Sequence, residues 1–133
     1  MSFKKVGSVI LIVSEMEKSL FFYKNILGLP IKSQSEDWAE FFIHGTVLAL
    51  HPAENKSKLK TGISMLVGFM VSDLEANVRK LKENKVKFFK ELKEEPFGKH
   101  AIIKDPDGHL ISIAEINTKP TEGFDLLGLI GAE

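Results

Sequence analysis

A short segment of this chain occurs twice. Val13-Ser14-Glu15-Met16-Glu17 returns 58 residues later as Val71-Ser72-Asp73-Leu74-Glu75. Each copy follows an apolar run, residues 9–13 and 65–71, that reads as a strand. Each precedes apolar residues at helical spacing: Met16, Leu20, Tyr23 and Leu27 in one copy, Leu74, Val78 and Leu81 in the other. Ser14 with Glu17, and Ser72 with Glu75, have the S-x-x-E spacing of a capping box, in which two side chains satisfy orphan N–H groups of a first helical turn. Two such strand-to-helix junctions predict a duplicated unit, and restrict the chain to folds built from two similar halves.

Strands follow each helix. Gly28-Leu29-Pro30 ends the first helix, because Gly suits the C-terminal cap and Pro cannot continue. Residues 31–35, 38–44 and 46–51 then read as three strands, and 86–90, 99–104 and 109–115 as the matching trio. Asp105-Pro106-Asp107-Gly108 is a turn, its aspartates placed to satisfy backbone N–H groups. The order is βαβββ, twice. The 133 residues therefore divide into a first module at 6–52, a polar linker at 53–62, a second module at 63–116 and a tail at 117–133. In the tail, Phe124, Leu126, Leu127, Leu129 and Ile130 suggest a short helix.

Composition excludes several functions. Lys+Arg and Asp+Glu number 18 each, so no net field draws nucleic acid or an acidic membrane. The basic runs at 56–60 and 80–87 lack aromatic partners and read as solvated faces. No apolar stretch approaches the roughly 20 residues of a membrane helix. The chain has no cysteine, which removes disulfides and thiolate ligands and fits a cytoplasmic location. Four histidines, His44, His51, His100 and His109, remain as imidazole ligands or bases. At about 3.3 Å per residue along a strand, His44 and His51 would stand more than ~10 Å apart, and no pair shares a rung.

The residues 13–23, the Leu27-Gly28-Leu29 step and the Asp105-Pro106-Asp107-Gly108-His109 turn resemble the vicinal oxygen chelate superfamily, which includes glyoxalase I, extradiol dioxygenases and bleomycin-resistance proteins. The resemblance spans residues 6–116. It implies an α+β fold in which two tandem βαβββ modules form a curved mixed sheet around a cavity, and commonly a homodimer. Metal-dependent members place ligands on the first and last strands of each module. Carried over, those four positions fall on Ser8, Ala49, Leu66 and Ser112, none of them His, Glu, Gln or Asp. We therefore expect no metal and no cofactor.

If Ala49 and Ser112 face inward as the resemblance implies, strand alternation puts Ser8, Trp38, Glu40, Phe42, His51, Leu66, Met70 and Ser112 on the cavity side. Val9, Leu11, Val13, Phe41, Ile43, Leu48, Leu50, Ile111 and Ile113 then pack under the helices. Such a mostly apolar lining with a few polar groups suits a small hydrophobic or aromatic molecule. Trp38, the single tryptophan, offers a stacking surface. A two-residue turn at Gly45-Thr46 would set His51 opposite Glu40, as an ion pair or an acid–base couple. His100, near Pro96-Phe97-Gly98, would contact ligand beside a gating loop. Three classes stay open: a metal-free binding protein, a lyase or dioxygenase with non-standard ligands or acid–base chemistry, and an interaction protein acting through its dimer surface.

Overall fold

A computed structural model describes residues 2–116, and the expected tail helix lies outside them. The chain forms two compact units, divided between Thr61 and Gly62. In the first, β1 (Ser8–Val13) leads into α1 (Met16–Leu20) and a π-helical segment (Phe21–Ile26), then β2 (Ile31–Gln34), β3 (Ala39–Phe41) and β4 (Val47–Pro52). A 3₁₀ turn at Lys56–Lys58 follows, with the Asn55 side chain accepting from the Ser57 N–H. The second unit repeats the order as β5 (Leu66–Met70), α2 (Leu74–Glu83), β6 (Phe88–Glu95), β7 (Gly98–Lys104) and β8 (Leu110–Ile116).

Each unit is one four-stranded mixed sheet, ordered β1-β4-β3-β2 and β5-β8-β7-β6. The last strand of each unit returns parallel to its first, which the helical crossover permits, and the other pairs are antiparallel. The expected α+β architecture of two βαβββ modules is the one observed. The central strands carry the core: Val47 to Leu50 are all buried, as are Leu110 to Ala114. Each fully buried aliphatic or aromatic side chain contributes roughly 1.5–3 kcal/mol. Leu74, Val78 and Leu81 form the buried stripe of α2.

The first helix departs from its expected stripe. Its buried residues are Ser19, Phe22 and Tyr23, while Met16, Leu20 and Leu27 are only half-buried. The buried positions 19, 22 and 23 follow ordinary helical spacing, and the segment then closes in a π turn, Leu27 N–H donating to the Phe22 carbonyl five residues back at 2.9 Å. Tyr23 packs edge-on against Phe22, centroids 5.0 Å apart, and tilted against Phe41 at 6.1 Å. Gly28 takes φ 73° just beyond the helix, where the Leu29 N–H reaches back to Tyr23, as expected of a C-terminal cap.

The caps are a second correction. The residue preceding α1 is Glu15, without a side-chain cap. At α2 the cap is Asp73, one residue beyond Ser72, and its carboxylate accepts from the Ala76 N–H at 3.1 Å. Aspartate accepts more strongly than serine and adds a negative charge at the positive end of the helix. The N–H of Leu74 is held separately, by the Glu115 carboxylate of β8 at 2.7 Å. Among the described residues, no helix is long and apolar enough to cross a membrane.

Candidate functional site

One face of the first sheet is exposed along its edge strand β1. Along β1, Leu11 and Val13 are buried, while Ser8, Ile10 (47% exposed) and Ile12 (38% exposed) point the other way. The register carries that face across the sheet. Ile10 lies beside Ala49, Ala49 opposite Glu40, and Glu40 opposite Ser33. Ile12 pairs with His51, and Trp38, just ahead of β3, meets His51 edge-to-face with ring centroids 5.9 Å apart. The sequence thus brings Ser8, Trp38, Glu40 and His51 to one sheet face, as expected.

Glu40 and His51 are not opposite one another. The Glu40 carboxylate accepts from Ser33 Oγ at 2.7 Å, and His51 Nδ1 is 2.8 Å from the Pro52 carbonyl. The connection from β3 to β4 is longer than a two-residue turn, because β3 ends at Phe41 and Phe42 adopts φ 73°. That shifts the pairing by two residues, a whole side-chain period, so the faces are kept while the partners change. Phe42 also leaves the ladder, its N–H bonding to the Pro30 carbonyl at 2.9 Å. Ile43 is consequently 62% exposed instead of packing under the helix. Ser33 was not among the expected residues; β2 pairs with an irregular register, which strand alternation cannot foresee.

In the second unit Leu66 and Met70 stand on edge strand β5, Leu66 half-buried and Met70 58% exposed. His100 differs from expectation. It lies within β7, 4% exposed, with Nε2 2.7 Å from the hydroxyl of Ser112, itself 2% exposed. His100 is paired with Ala114, so the contact is diagonal across the β7–β8 ladder. It is an internal contact of the sheet rather than a side chain beside a loop. Asp105 performs the turn role expected of it, accepting from the N–H groups of Asp107 (2.9 Å) and His109 (2.8 Å). On the outer side, Lys99 Nζ lies 2.8 Å from Glu75. That hydrogen bond, with the attraction of the opposite charge, holds the Glu75 carboxyl below the usual carboxylate range. Its hydrogen bond to Glu75 raises the Lys99 ammonium above its ordinary value.

The four family metal positions do not fit a metal. Ala49 and Leu66 have no donor atom, and the Ser112 hydroxyl is engaged by His100. Among the described residues, no group of three or more His, Asp or Glu side chains could hold an ion. A surface groove of about 430 Å³ beside the start of α1 contains none of the expected site residues and is lined by charges of both signs, Glu15, Glu17 and Glu36 against Lys18 and Lys56.

Comparison with known proteins agrees with this architecture. The family model of the glyoxalase, bleomycin resistance protein and dioxygenase superfamily matches residues 5–113. The metallothiol transferase FosB of Staphylococcus haemolyticus is 32% identical over 115 residues, 83% of this chain and 82% of that protein. Among solved structures, a glyoxalase/dioxygenase from Nostoc punctiforme superposes with a TM-score of 0.72 at 22% identity, covering 86% of this chain and 92% of its own. TnmS3, an antibiotic binding protein from Streptomyces sp. CB03234, gives 0.71 at 22% identity, covering 88% and 99%. With both βαβββ units and the Asp-Pro-Asp-Gly turn in place, the chain belongs to the glyoxalase/bleomycin resistance protein/dioxygenase superfamily, the vicinal oxygen chelate proteins.

Proposed function

We propose that this chain is a metal-free binding protein for a small hydrophobic or aromatic molecule. The observation that carries this is the sheet face on which exposed Ile10 and Ile12 sit with the Trp38 indole, where a metal-dependent member would hold ligands. An aromatic molecule laid there recovers about 25 cal/mol for each Å² of apolar surface removed from water. Leu66 and Met70 give the second sheet a similar apolar offering, with His100 and Ser112 on strands β7 and β8 of the same sheet. TnmS3, described as an antibiotic binding protein, supports the reading in that the same fold serves for binding. A homodimer and a cytoplasmic location belong to the same proposal, the first read directly by sedimentation.

The test is thermal unfolding in the presence of aromatic compounds and, separately, of divalent metals. A ligand at 100 times its Kd adds about 2.7 kcal/mol and raises Tm. We expect aromatic compounds to do so and metals not to. A chain indifferent to every aromatic compound tested would leave the face as solvated surface and end the proposal.

The 32% identity to a metallothiol transferase favours a second reading, an enzyme of the same superfamily with non-standard ligands. It requires an ion to stabilise developing negative charge, an effect worth several kcal/mol. Stoichiometric metal in the purified protein would support it.

A further inference from the structure

The polar groups on this face of the first sheet are of one electrostatic kind. Glu40 is half-buried in a row with Ile10 and Ala49. Its one hydrogen bond among the described residues comes from the neutral Ser33 hydroxyl, and none of the described lysines or arginines forms an ion pair with it. The carboxylate therefore stands beside apolar surface with no Lys or Arg partner among the described residues, where the local dielectric strengthens attraction for a cation. His51 adds a second acceptor. A carbonyl can only accept, so the contact with Pro52 puts a proton on Nδ1, and in that tautomer Nε2 is the acceptor. Trp38 stands two residues from Glu40 on the same strand face and brings the aromatic ring that binds cations best. The rows of this face, Ser8–Val47, Ile10–Ala49–Glu40–Ser33 and Ile12–His51, contain no lysine or arginine.

From this juxtaposition we infer that the ligand is a cationic aromatic molecule, an aryl group bearing an ammonium, with its ring against Ile10, Ile12 and Trp38 and its ammonium donating to Glu40 and His51. The inference rests on the proposed binding function and specifies its ligand class. Charge selects among aromatic molecules that the apolar face alone would accept alike.

Three probes of one shape separate the possibilities: 1-naphthylmethylammonium, neutral 1-naphthalenemethanol and anionic 1-naphthoate. The single tryptophan gives the protein a single indole N–H resonance, and it lies at this face beside His51. We expect the ammonium probe to bind at least ten times more tightly than the alcohol, a difference of about 1.4 kcal/mol, and the naphthoate to bind most weakly. Glu40→Gln should abolish the tenfold preference for the ammonium over the alcohol. Glu36→Gln, which removes the same charge from the exposed β2–β3 turn, should retain the preference. Equal binding of all three probes, or a preference that survives Glu40→Gln, overturns the cationic assignment and leaves the binding function standing. If no probe moves the indole resonance of the folded protein, the binding function falls, and the inference with it.

Discussion

Ser19 and Ser112 are both buried, yet they differ in what their hydroxyls meet. Ser112 is 2.7 Å from His100 Nε2, whereas Ser19 Oγ has no hydrogen-bond partner among the described residues. Removing one member of a buried hydrogen bond leaves the other to bear the desolvation penalty, about 1–3 kcal/mol. Ser112→Ala is therefore expected to lower the urea-unfolding free energy by about 1–2 kcal/mol. Ser19→Ala removes a buried hydroxyl with nothing to lose and places the best helix former in α1, so unfolding should shift to higher urea, by up to about 1 kcal/mol. A loss on Ser19→Ala equal to that on Ser112→Ala would show this comparison to be mistaken. The chemistry of Ser112 as a non-ligand was visible in the sequence, but its partner was not. His100 and Ser112 are twelve residues apart, and only the β7–β8 register places them on one diagonal.

At the scale of elements, turns and strand ends carry the differences between the two units. Gly98 opens β7 with φ 148°, and a Cβ there would collide with the carbonyl of Glu115 on β8. Gly28 has φ 73° with open space around its absent side chain. Alanine at Gly28 thus meets only conformational strain, about 1 kcal/mol, while Gly98→Ala must also displace backbone and should cost more than about 2 kcal/mol. Chemical denaturation of the two variants gives the order directly. The Lys99–Glu75 contact ties β7 to α2 and has a defined pH window. The Glu75 carboxyl is depressed on folding, so its contribution is present above the ordinary carboxylate range and fades as pH falls through the lowered value. The Lys99 ammonium is raised, so its share persists below the ordinary ammonium range and fades as pH climbs through the raised value. Glu75→Gln should consequently destabilise modestly at neutral pH, less in high salt, and not at all in strong acid. Capping shows how sequence reading falls short here. The S-x-x-E spacing marked both helix starts within a residue, but Asp73 out-competed Ser72 for the cap, and at α1 the N-cap position falls on Glu15, whose side chain makes no cap bond.

For the whole molecule, the prediction concerns metal. Purification in excess zinc, nickel or iron should leave far less than one ion per chain, because Ala49 and Leu66 offer no lone pair and Ser112 is already bonded. Near-stoichiometric metal that disappears on mutating His51 or Glu40 would reverse the metal-free proposal. What the sequence determined by itself is the duplication and the βαβββ order. These are local properties: apolar periodicity, and glycine and proline at chain reversals. Partners across the sheets were decided only by tertiary structure. The β3–β4 loop, with positive φ at Phe42 and Gly45, set Glu40 opposite Ala49 rather than His51, and the helix buried Ser19, Phe22 and Tyr23 rather than Met16, Leu20 and Leu27. Pairing between strands depends on loop geometry summed over many residues, and that geometry decides which side chains meet.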